Sequence, residues 1–571
     1  MTRLKGRTSL TIFVVIIFAL LVVVYHLLSN EVDDISTGKG RSYLKGKDLH
    51  YVKGITEAPE MMKKQNSEIF GDKFKIGGRY RYDGSPLFTG HKIVHLDLKG
   101  APPKVTYFEY LFRLLKTLGA TGILIEYEDM FPFEGSLIDI GAGNRYLRKE
   151  IQKIQNLADE NEMTVIPLIQ TFGHLEFILK LQKYKDLREI CRYPQSICPT
   201  HNKSLPLLFE MIDQVIMAHP SSKYLHIGAD EVYQLGECTR CMDTMAKHKW
   251  GKRQLFLEHV TKVAKHIKEK YPHLTILMWD DEFREIESQE LIESGLSWLI
   301  EPVIWKYTTD PGSSLTDQLW ENYALVWPEV WFATAFKGAT APDRYYTDIS
   351  HHVENHRRWL EIIEKYSSRI KFKGAFLTGW QRYDHFSVLC ELLPTALPSL
   401  AVNLAVLRSS DPSVFPMDVP IKVTEALSCE GGISLSISEP QYSWTKCNYH
   451  GVLVYAATFK LFSIQQELNR LKQDNTFIGW LTPYNIKYSF SSPSHVERAV
   501  TDLDRYKMEV LYLEKEISVA MEDIYDNYTI QEWLETNLVP LNNEIEEIWA
   551  AKEKILEKQS WPRRPLIKSE L

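Results

Sequence analysis

The chain has 571 residues, which is long enough for one large domain and an additional region. Hydrophobic residues make up 44% of it and charged residues 25%, as in ordinary globular proteins. The formal net charge of -7 argues against a nucleic-acid partner.

The first element along the chain is an almost unbroken apolar run from Leu10 to Leu28. A helix of that length spans roughly 28 Å, close to the hydrocarbon thickness of a bilayer. Basic residues precede the run and acidic residues follow it, which places the N-terminus in the cytosol. Bulky Tyr25 and His26 favour an uncleaved anchor over a signal peptide. The run therefore predicts a single-pass type II membrane protein whose body is lumenal or extracellular, in the Golgi and secretory pathway or at the cell surface.

Residues 1–30 are thus predicted to be a cytosolic tail and anchor, and the polar residues 31–88 a stalk. Short apolar segments then alternate with amphipathic helical stretches. The predicted strands are Ile93 to Leu98, Gly122 to Tyr127, Thr164 to Ile169, Tyr224 to Ile227, Thr275 to Trp279, Val303 to Trp305, Leu325 to Val330 and Gly374 to Trp380. Eight strands with helices between them predict an α/β fold, a (β/α)8 TIM-type barrel over residues 89–409.

Beyond the predicted barrel, the sequence changes to long, charged helical periodicity without strands. The clearest stretches run from Val496 to Ser518 and from Glu532 to Lys558. Residues 410–571 are therefore predicted to form a C-terminal, mainly helical region.

The most informative motif is His226-Ile227-Gly228-Ala229-Asp230-Glu231, where an apolar run gives way to glycine and two carboxylates. The C-terminal end of a barrel strand is where (β/α)8 enzymes collect their chemistry. Adjacent strand residues point to opposite faces, so both acids can address one ligand only if the chain turns there. Such a pair suits hydrolysis of a 2-acetamido sugar whose own acetamido group is the nucleophile. The structural alternative is a helix cap followed by a first-turn acid.

Polar and aromatic residues recur at the other predicted strand ends, which predicts an aromatic-walled pocket on one rim. Burial beside aromatic walls is expected to raise the pKa of Glu231, the general acid, whereas Asp230 must stay ionised. The predicted substrate-binding residues are His174, Trp279, Trp305, Trp331, Trp380, Asp97, Glu126, Tyr307, Arg382 and Asp384.

Seven cysteines leave at least one thiol unpaired. Cys191 with Cys198, and Cys238 with Cys241, are close enough in sequence to pair. Cys238 and Cys241 could also be half of a zinc site, but no second Cys-x-x-Cys or paired histidine accompanies them. A small disulfide or two free thiols are favoured over a metal.

The His-x-Gly-x-Asp-Glu motif resembles the signature of family 20 glycoside hydrolases, the β-N-acetylhexosaminidases. Longer strings resemble one subgroup of that family, whose members are generally viewed as soluble nucleocytoplasmic enzymes with a preference for GalNAc; the apolar run at the N-terminus predicts otherwise here. The match covers about His91 to Arg408. The strings are His95 to Pro103, Leu124 to Pro132, Gln170 to His174, Ala335 to Thr340 and Thr378 to His385.

The resemblance implies exo-acting, retaining hydrolysis of terminal β-linked GlcNAc or GalNAc through an oxazolinium-like intermediate, with no metal and no cofactor. It implies that Glu231 is the acid/base and that Asp230 polarises the acetamido group. Better-known members carry an arginine for the sugar O3 and O4 just after the first strand, where this chain has Lys99-Gly100. Their tyrosine for the acetamido oxygen has only Tyr307 as a candidate match. The expected partners are β-N-acetylhexosaminide glycans or glycoconjugates and the membrane, and a homodimer is left open.

Two other functions remain open from the sequence. One is a catalytically silent carbohydrate-binding ectodomain, which would keep the aromatic pocket without turnover. The other is a metal-dependent hydrolase using His226, Asp230 and Glu231 as ligands.

Overall fold

The structure is a computed structural model that describes residues 86–410, 419–435 and 437–566. The predicted tail and anchor, and all but the last residues of the predicted stalk, lie outside these residues. Within them, no helix is both long and apolar enough to cross a bilayer.

Eight parallel strands close into a barrel, which confirms the predicted (β/α)8 architecture. The barrel strands are β1 His91–Asp97, β2 Gly122–Glu126, β3 Thr164–Leu168, β6 Tyr224–His226, β7 Thr275–Trp279, β8 Ile300–Trp305, β9 Glu329–Lys337 and β10 Lys371–Gly379. Around the barrel, neighbouring strands follow the order β1-β10-β9-β8-β7-β6-β3-β2.

One strand was misplaced from the sequence. The predicted seventh strand, Leu325 to Val330, straddles the end of helix Asp317–Val326 and the start of β9. The apolar residues before Trp327 follow the spacing of a helix that buries Trp320 and Tyr323, not the alternation of a strand. The true strand continues to Lys337, well past the predicted end.

Helices surround the barrel and fill the spaces between successive strands. Their bounds are Val105–Leu118, Arg148–Glu160, Glu176–Leu179, Ser204–Ala218, Thr239–His248, Lys252–Lys270, Ser288–Glu293, Leu296–Leu299, Asp317–Val326, Ile349–Tyr366 and Leu393–Val406. The barrel interior is filled by apolar side chains such as Leu277, Val303 and Phe376, so it is a packed core and not a channel.

A short antiparallel hairpin is inserted between β3 and β6, and it was not predicted. Its strands are β4 Arg188–Ile190 and β5 Tyr193–Ile197. Leu175 N donates to Gln195 O at 3.0 Å, and Ile197 N donates to Phe172 O at 3.2 Å. These bonds fix the hairpin to the segment that follows β3, on the rim where the barrel strands end.

The residues after the barrel are helical, with bounds Val419–Ala426, Val452–Gln473, Asn475–Trp480, Pro483–Tyr488, Pro493–Ala499, Leu503–Glu522, Asn527–Trp533 and Val539–Leu556. The two long helices that the sequence predicted are each interrupted, the first between Ala499 and Leu503 and the second by a π-helical turn, Leu534–Leu538. These helices reach the barrel rim, because Thr529 Oγ1 donates to Gly100 O at 3.3 Å.

The disulfide of the structure joins two cysteines that sequence proximity did not suggest. Cys429 and Cys447 form a disulfide in the C-terminal helical region. The pairs suggested by sequence proximity, Cys191 with Cys198 and Cys238 with Cys241, are not bonded. Cys191 is exposed, whereas Cys198 and Cys241 are buried.

Candidate active site

The chain turns sharply where β6 ends. Gly228, Ala229 and Glu231 all have positive φ angles, of 61°, 63° and 46°. A Cβ atom on Gly228 would lie 1.9 Å from Gln170 Oε1, so only glycine fits this close approach. The run of left-handed conformations supplies the turn that the sequence argument required. It allows the adjacent carboxylates of Asp230 and Glu231 to face one ligand.

Both carboxylates meet at one histidine. His174 Nε2 lies 3.1 Å from Glu231 Oε2 and 3.6 Å from Asp230 Oδ2. His174 follows β3, and a Cβ atom on the preceding Gly173 would lie 2.1 Å from Asp230 O, so the two loops pack backbone against backbone. The structure thus brings His174, which was predicted separately, to the predicted carboxylate pair.

The two carboxylates differ in their surroundings. The Asp230 side chain is 8% exposed, and burial raises its pKa to about 7. The Glu231 side chain is 35% exposed, and its hydrogen bond with His174 lowers its pKa. Burial alone would lower the pKa of His174, but the carboxylates of Asp230 and Glu231 outweigh it and raise that pKa to about 10. The directions of these shifts favour the protonated form of His174 and the ionised form of Glu231.

This order differs from the sequence expectation, in which burial raised the pKa of Glu231 and Asp230 was the ionised group. The reason is that Glu231 stands at the open side of the loop, beside a histidine that favours its charged form. Asp230 is the group enclosed by protein. Its Oδ1 atom is buried and has no hydrogen-bond partner among the described residues.

The backbone of the catalytic-motif loop is held from two sides. Asp281, just after β7, accepts from Glu231 N at 2.8 Å and from Trp305 Nε1 at 3.0 Å. On the other side, Gln195 of the inserted hairpin donates through Nε2 to Glu231 O at 2.8 Å. These contacts fix the backbone of Glu231 without using its side chain.

Aromatic rings lie at the mouth of the barrel. Trp279 is almost fully buried, and its ring centroid lies 5.9 Å from that of Trp380. Tyr307 stacks on Trp305 at 5.2 Å and lies 6.4 Å from Trp380. The last three rings are half-buried and rest on the packed barrel interior. The predicted aromatic wall is therefore assembled from four of the five aromatic residues named from the sequence.

The fifth, Trp331, lies elsewhere. Its ring stacks with His91 at 5.8 Å and contacts Tyr224, two residues at the starts of their strands. Because β9 runs on to Lys337, Trp331 lies about 20 Å from the rim at the rise of an extended strand. Its placement in the pocket followed from the misplaced strand and is not supported.

Two predicted polar site residues, Arg382 and Asp384, form structural contacts at the edge of the barrel mouth. Arg382 donates through Nη1 to Ser387 O at 2.7 Å and pairs with Glu532 from the C-terminal helices. Asp384 Oδ1 accepts from the backbone N–H groups of Phe386 and Ser387, both at 2.8 Å, which closes a turn. The structure does not bring Arg382 to the carboxylate pair.

Two further candidates, Asp97 and Glu126, are buried beneath the mouth. Asp97 Oδ2 accepts from Gln381 N at 2.7 Å and from Lys99 Nζ at 2.8 Å. Glu126 Oε2 lies 3.0 Å from His95 Nε2. Lys99, which stands where better-known family members have an arginine, is thus engaged by an internal carboxylate, and its ammonium lies 5.5 Å over the Trp380 ring.

Tyr233 was not found from the sequence. Its side chain interacts with Glu231, and the residue is 53% exposed. It lies two positions beyond the motif, and nothing in its own sequence context marks it. Only the turn of the loop brings it back beside the carboxylate.

The ligand set of the alternative metal-dependent hydrolase, His226, Asp230 and Glu231, is not assembled. His226 Nδ1 accepts from Gly228 N at 3.0 Å, and its ring packs against Trp279 at 4.3 Å. Among residues 86–410, 419–435 and 437–566, the group whose ligand atoms converge contains none of these three.

The family was established by comparison with known proteins. Residues 128–384 match the model of glycosyl hydrolase family 20, catalytic domain. Hexosaminidase D of Homo sapiens is 38% identical over 454 residues, covering 79% of this chain and 91% of that protein. Hexosaminidase D of Bos taurus is 47% identical over 323 residues, covering 56% of this chain and 92% of that protein.

The chain belongs to glycosyl hydrolase family 20. It is a glycoside hydrolase with β-N-acetylhexosaminidase function, as the sequence predicted. The crystal structure of beta-N-acetylhexosaminidase from Bacteroides fragilis NCTC 9343 aligns at 16% identity with a TM-score of 0.44, covering 60% of this chain and 71% of that chain. That likeness is too loose to support a conclusion.

The predicted location, a single-pass type II membrane protein, is wrong. The relatives that show the family are hexosaminidase D proteins, the subgroup whose resemblance implied a location other than a membrane. No helix in the described ranges could span a bilayer, and the run from Leu10 to Leu28 lies outside them. The prediction rested on hydropathy alone, and an apolar run of about 19 residues does not by itself distinguish a membrane anchor from other apolar segments. Neither membrane association nor the homodimer is supported.

Proposed function

We propose that this family 20 enzyme removes terminal β-linked GlcNAc or GalNAc with retention of configuration, using the acetamido group of the substrate as the nucleophile. The observation that carries this proposal is the pair of neighbouring carboxylates meeting at one histidine nitrogen. Asp230 Oδ2 and Glu231 Oε2 both contact His174 Nε2, so they can act on two atoms of a single sugar. Such proximity leaves little room for the water that an inverting enzyme holds between its carboxyl groups.

In this proposal Asp230 orients the acetamido group. Its unpartnered buried Oδ1 is an acceptor matched to the amide N–H of the sugar. That hydrogen bond directs the amide oxygen toward the anomeric carbon, and the negative charge of Asp230 stabilises the positive charge that develops on the closing ring. Its buried position strengthens both effects.

Glu231 is the proposed acid and base. Its half-exposed side chain is at the open side of the pocket, where the departing group must leave. The proton comes from His174, whose Nε2 lies 3.1 Å from Glu231 Oε2. As the glycosidic oxygen gains negative charge it takes the proton through Glu231, which then activates water for the second step.

The proposed pocket accepts only the end of a glycan. Trp279 and the half-buried Trp380 lie directly over the side chains that fill the barrel. A sugar resting on these rings can extend outward but cannot extend inward. The packed barrel core closes the inner end of the proposed pocket, so only a terminal sugar can occupy it. This accounts for the proposed exo action.

Hydrolysis of aryl β-N-acetylglucosaminide and β-N-acetylgalactosaminide by the purified chain tests the proposed substrates. We expect turnover of one or both, release of the β-hemiacetal first by NMR, and competitive inhibition by a sugar thiazoline that mimics the cyclic intermediate. Release of the α-hemiacetal, or indifference to the thiazoline, would contradict the proposed nucleophile. Binding without turnover would instead support the silent carbohydrate-binding alternative.

The His174→Asn variant should shift the acid side of the pH profile of kcat/KM. In the wild type, activity should fall as the pH drops through the pKa of Asp230, about 7, because the protonated carboxyl no longer stabilises positive charge. Protonated His174 lowers that pKa electrostatically. Without it, the acid limb should move up by about one pH unit, and the activity at the optimum should fall about 10-fold or more.

The matched control is His266→Asn, since His266 contacts Asp213 on the outside of the barrel. Its pH profile should superpose on that of the wild type. An acid limb that stays in place in His174→Asn would show that the three groups do not titrate together.

A further inference from the structure

Three cysteines and a glutamate converge beside the active-site loop, in a group that the mechanism above does not use. Glu189 belongs to β4, Cys198 directly follows β5, and Cys238 and Cys241 stand at the start of helix Thr239–His248. Their ligand atoms all lie within 4.8 Å of one another. We propose that Glu189, Cys198, Cys238 and Cys241 form a structural zinc site.

The spacing of the sulfur atoms suits a shared metal. Cys198 Sγ lies 3.5 Å from Cys238 Sγ and 3.6 Å from Cys241 Sγ. Two sulfurs bound to one tetrahedral zinc at 2.3 Å are about 3.8 Å apart, close to these values. A disulfide would use two of the three sulfurs and leave the third, with the carboxylate, facing it. A zinc ion uses all four groups.

The fourth position is prepared by hydrogen bonds to the carboxylate. Glu189 Oε1 accepts from Glu237 N at 2.8 Å and from Cys238 N at 3.0 Å. The other oxygen, Oε2, then lies 3.2 Å from Cys241 Sγ. Carboxylate oxygens are established zinc ligands, and such outer hydrogen bonds fix the orientation of a ligand group.

The surroundings of the thiols fit a thiolate-rich site. The Cys238 sulfur accepts from Cys241 N at 3.4 Å, as the Cys-x-x-Cys geometry at the start of a helix allows. Thr200 Oγ1 lies 3.1 Å from Cys241 Sγ and 3.3 Å from Cys198 Sγ. The positive charge of Arg240 interacts with Cys198 and offsets the negative charge of three thiolates and a carboxylate around one divalent ion. Soft sulfur ligands select zinc over magnesium or calcium.

The site would join the inserted hairpin to the loop that carries the catalytic pair. Between the two, Gln195 donates to Glu231 O and Ser196 Oγ donates to Tyr233 O at 3.1 Å. A metal bound by residues of both segments would hold the hairpin and the loop in a fixed position relative to each other. The proposed role of the metal is therefore to position the hairpin and the loop.

Metal analysis of the full chain, purified without added metal and without a metal-binding tag, tests the proposal. We expect about one zinc per chain by mass spectrometry. Substitution with Co²⁺ should give the visible d–d bands of a tetrahedral site and a near-ultraviolet thiolate charge-transfer band. Cys241→Ser should retain less than about one tenth of the wild-type zinc.

Cys390→Ser is the matched control, because Cys390 is also buried and free but lies outside the group. It should keep full zinc content, as should Cys191→Ser at an exposed position. If Cys241→Ser does not fold, the cobalt spectrum of the wild type decides by itself. Wild-type protein without stoichiometric zinc and without a tetrahedral cobalt spectrum would overturn the proposal, as would a disulfide among these three cysteines.

Discussion

Glu231→Gln should abolish hydrolysis of substrates with poor leaving groups, with kcat falling about 10²- to 10⁴-fold. Glutamine keeps the size of the side chain and a hydrogen-bonding partner for His174, but it cannot pass a proton to the glycosidic oxygen. Glycosides of acidic phenols need little protonation, so their first step should be nearly unaffected. Steady-state kinetics on a disaccharide and on a dinitrophenyl glycoside separate the two cases, with KM for the disaccharide largely unchanged.

Glu237→Gln is a suitable control for this variant, since Glu237 lies in the same loop and forms an exposed ion pair with Lys252. It should behave as the wild type on both substrates. Equal losses of kcat/KM, which reports the first step, in Glu231→Gln on the two substrates would contradict the assignment of Glu231 as the proton donor to the leaving group. No loss on the disaccharide would remove its assignment.

Asp230→Asn should slow hydrolysis even when the leaving group is good, by about 10²- to 10⁴-fold in kcat/KM, because the amide oxygen forms its bond to the anomeric carbon in the same step in which the bond to the leaving group breaks. Asparagine has the same shape but no negative charge to stabilise the cyclic cation. The thiazoline, which resembles that cation, should also lose affinity. The contrast with Glu231→Gln on the dinitrophenyl glycoside distinguishes the two roles.

An exposed carboxylate on helix Thr239–His248 gives the control for charge alone, and Asp243→Asn should leave all rates unchanged. If Asp230→Asn hydrolysed the dinitrophenyl glycoside normally, the acetamido group would need no carboxylate partner, and the nucleophile would have to be sought elsewhere in the pocket.

Much of the barrel was predictable because its signals are local. The strand Thr275 to Trp279 was bounded correctly, since an apolar run of strand length carries its own evidence. The carboxylate pair was found for the same reason, as glycine and two acids stand next to each other. The misplaced seventh strand shows the limit, because Leu325 and Val326 are apolar in a helix as they would be in a strand.

The parts that depend on distant residues were not predictable. Cys198 lies 40 positions before Cys238, so one Cys-x-x-Cys appeared to be half of a site without a partner. The sequence analysis expected the higher pKa for Glu231, whereas the structure gives it to Asp230. The order of the two pKa values depends on His174, which follows a different strand and contacts both carboxylates. The pKa of a side chain depends on its burial and on nearby charges, which are set by the folded chain and cannot be inferred from the local sequence.

The way the barrel closes sets a limit on how short this enzyme can be made. The part that matches the family model begins at residue 128, after β1 and β2 have passed. Yet β1 bonds to β10 on one side and to β2 on the other, and β2 bonds to β3. A fragment trimmed to the matched residues would lack β1 and β2, so β3 and β10 would become edge strands. Their unpaired backbone N–H and C=O groups could then pair with other chains, which promotes aggregation. A working fragment must begin upstream of His91.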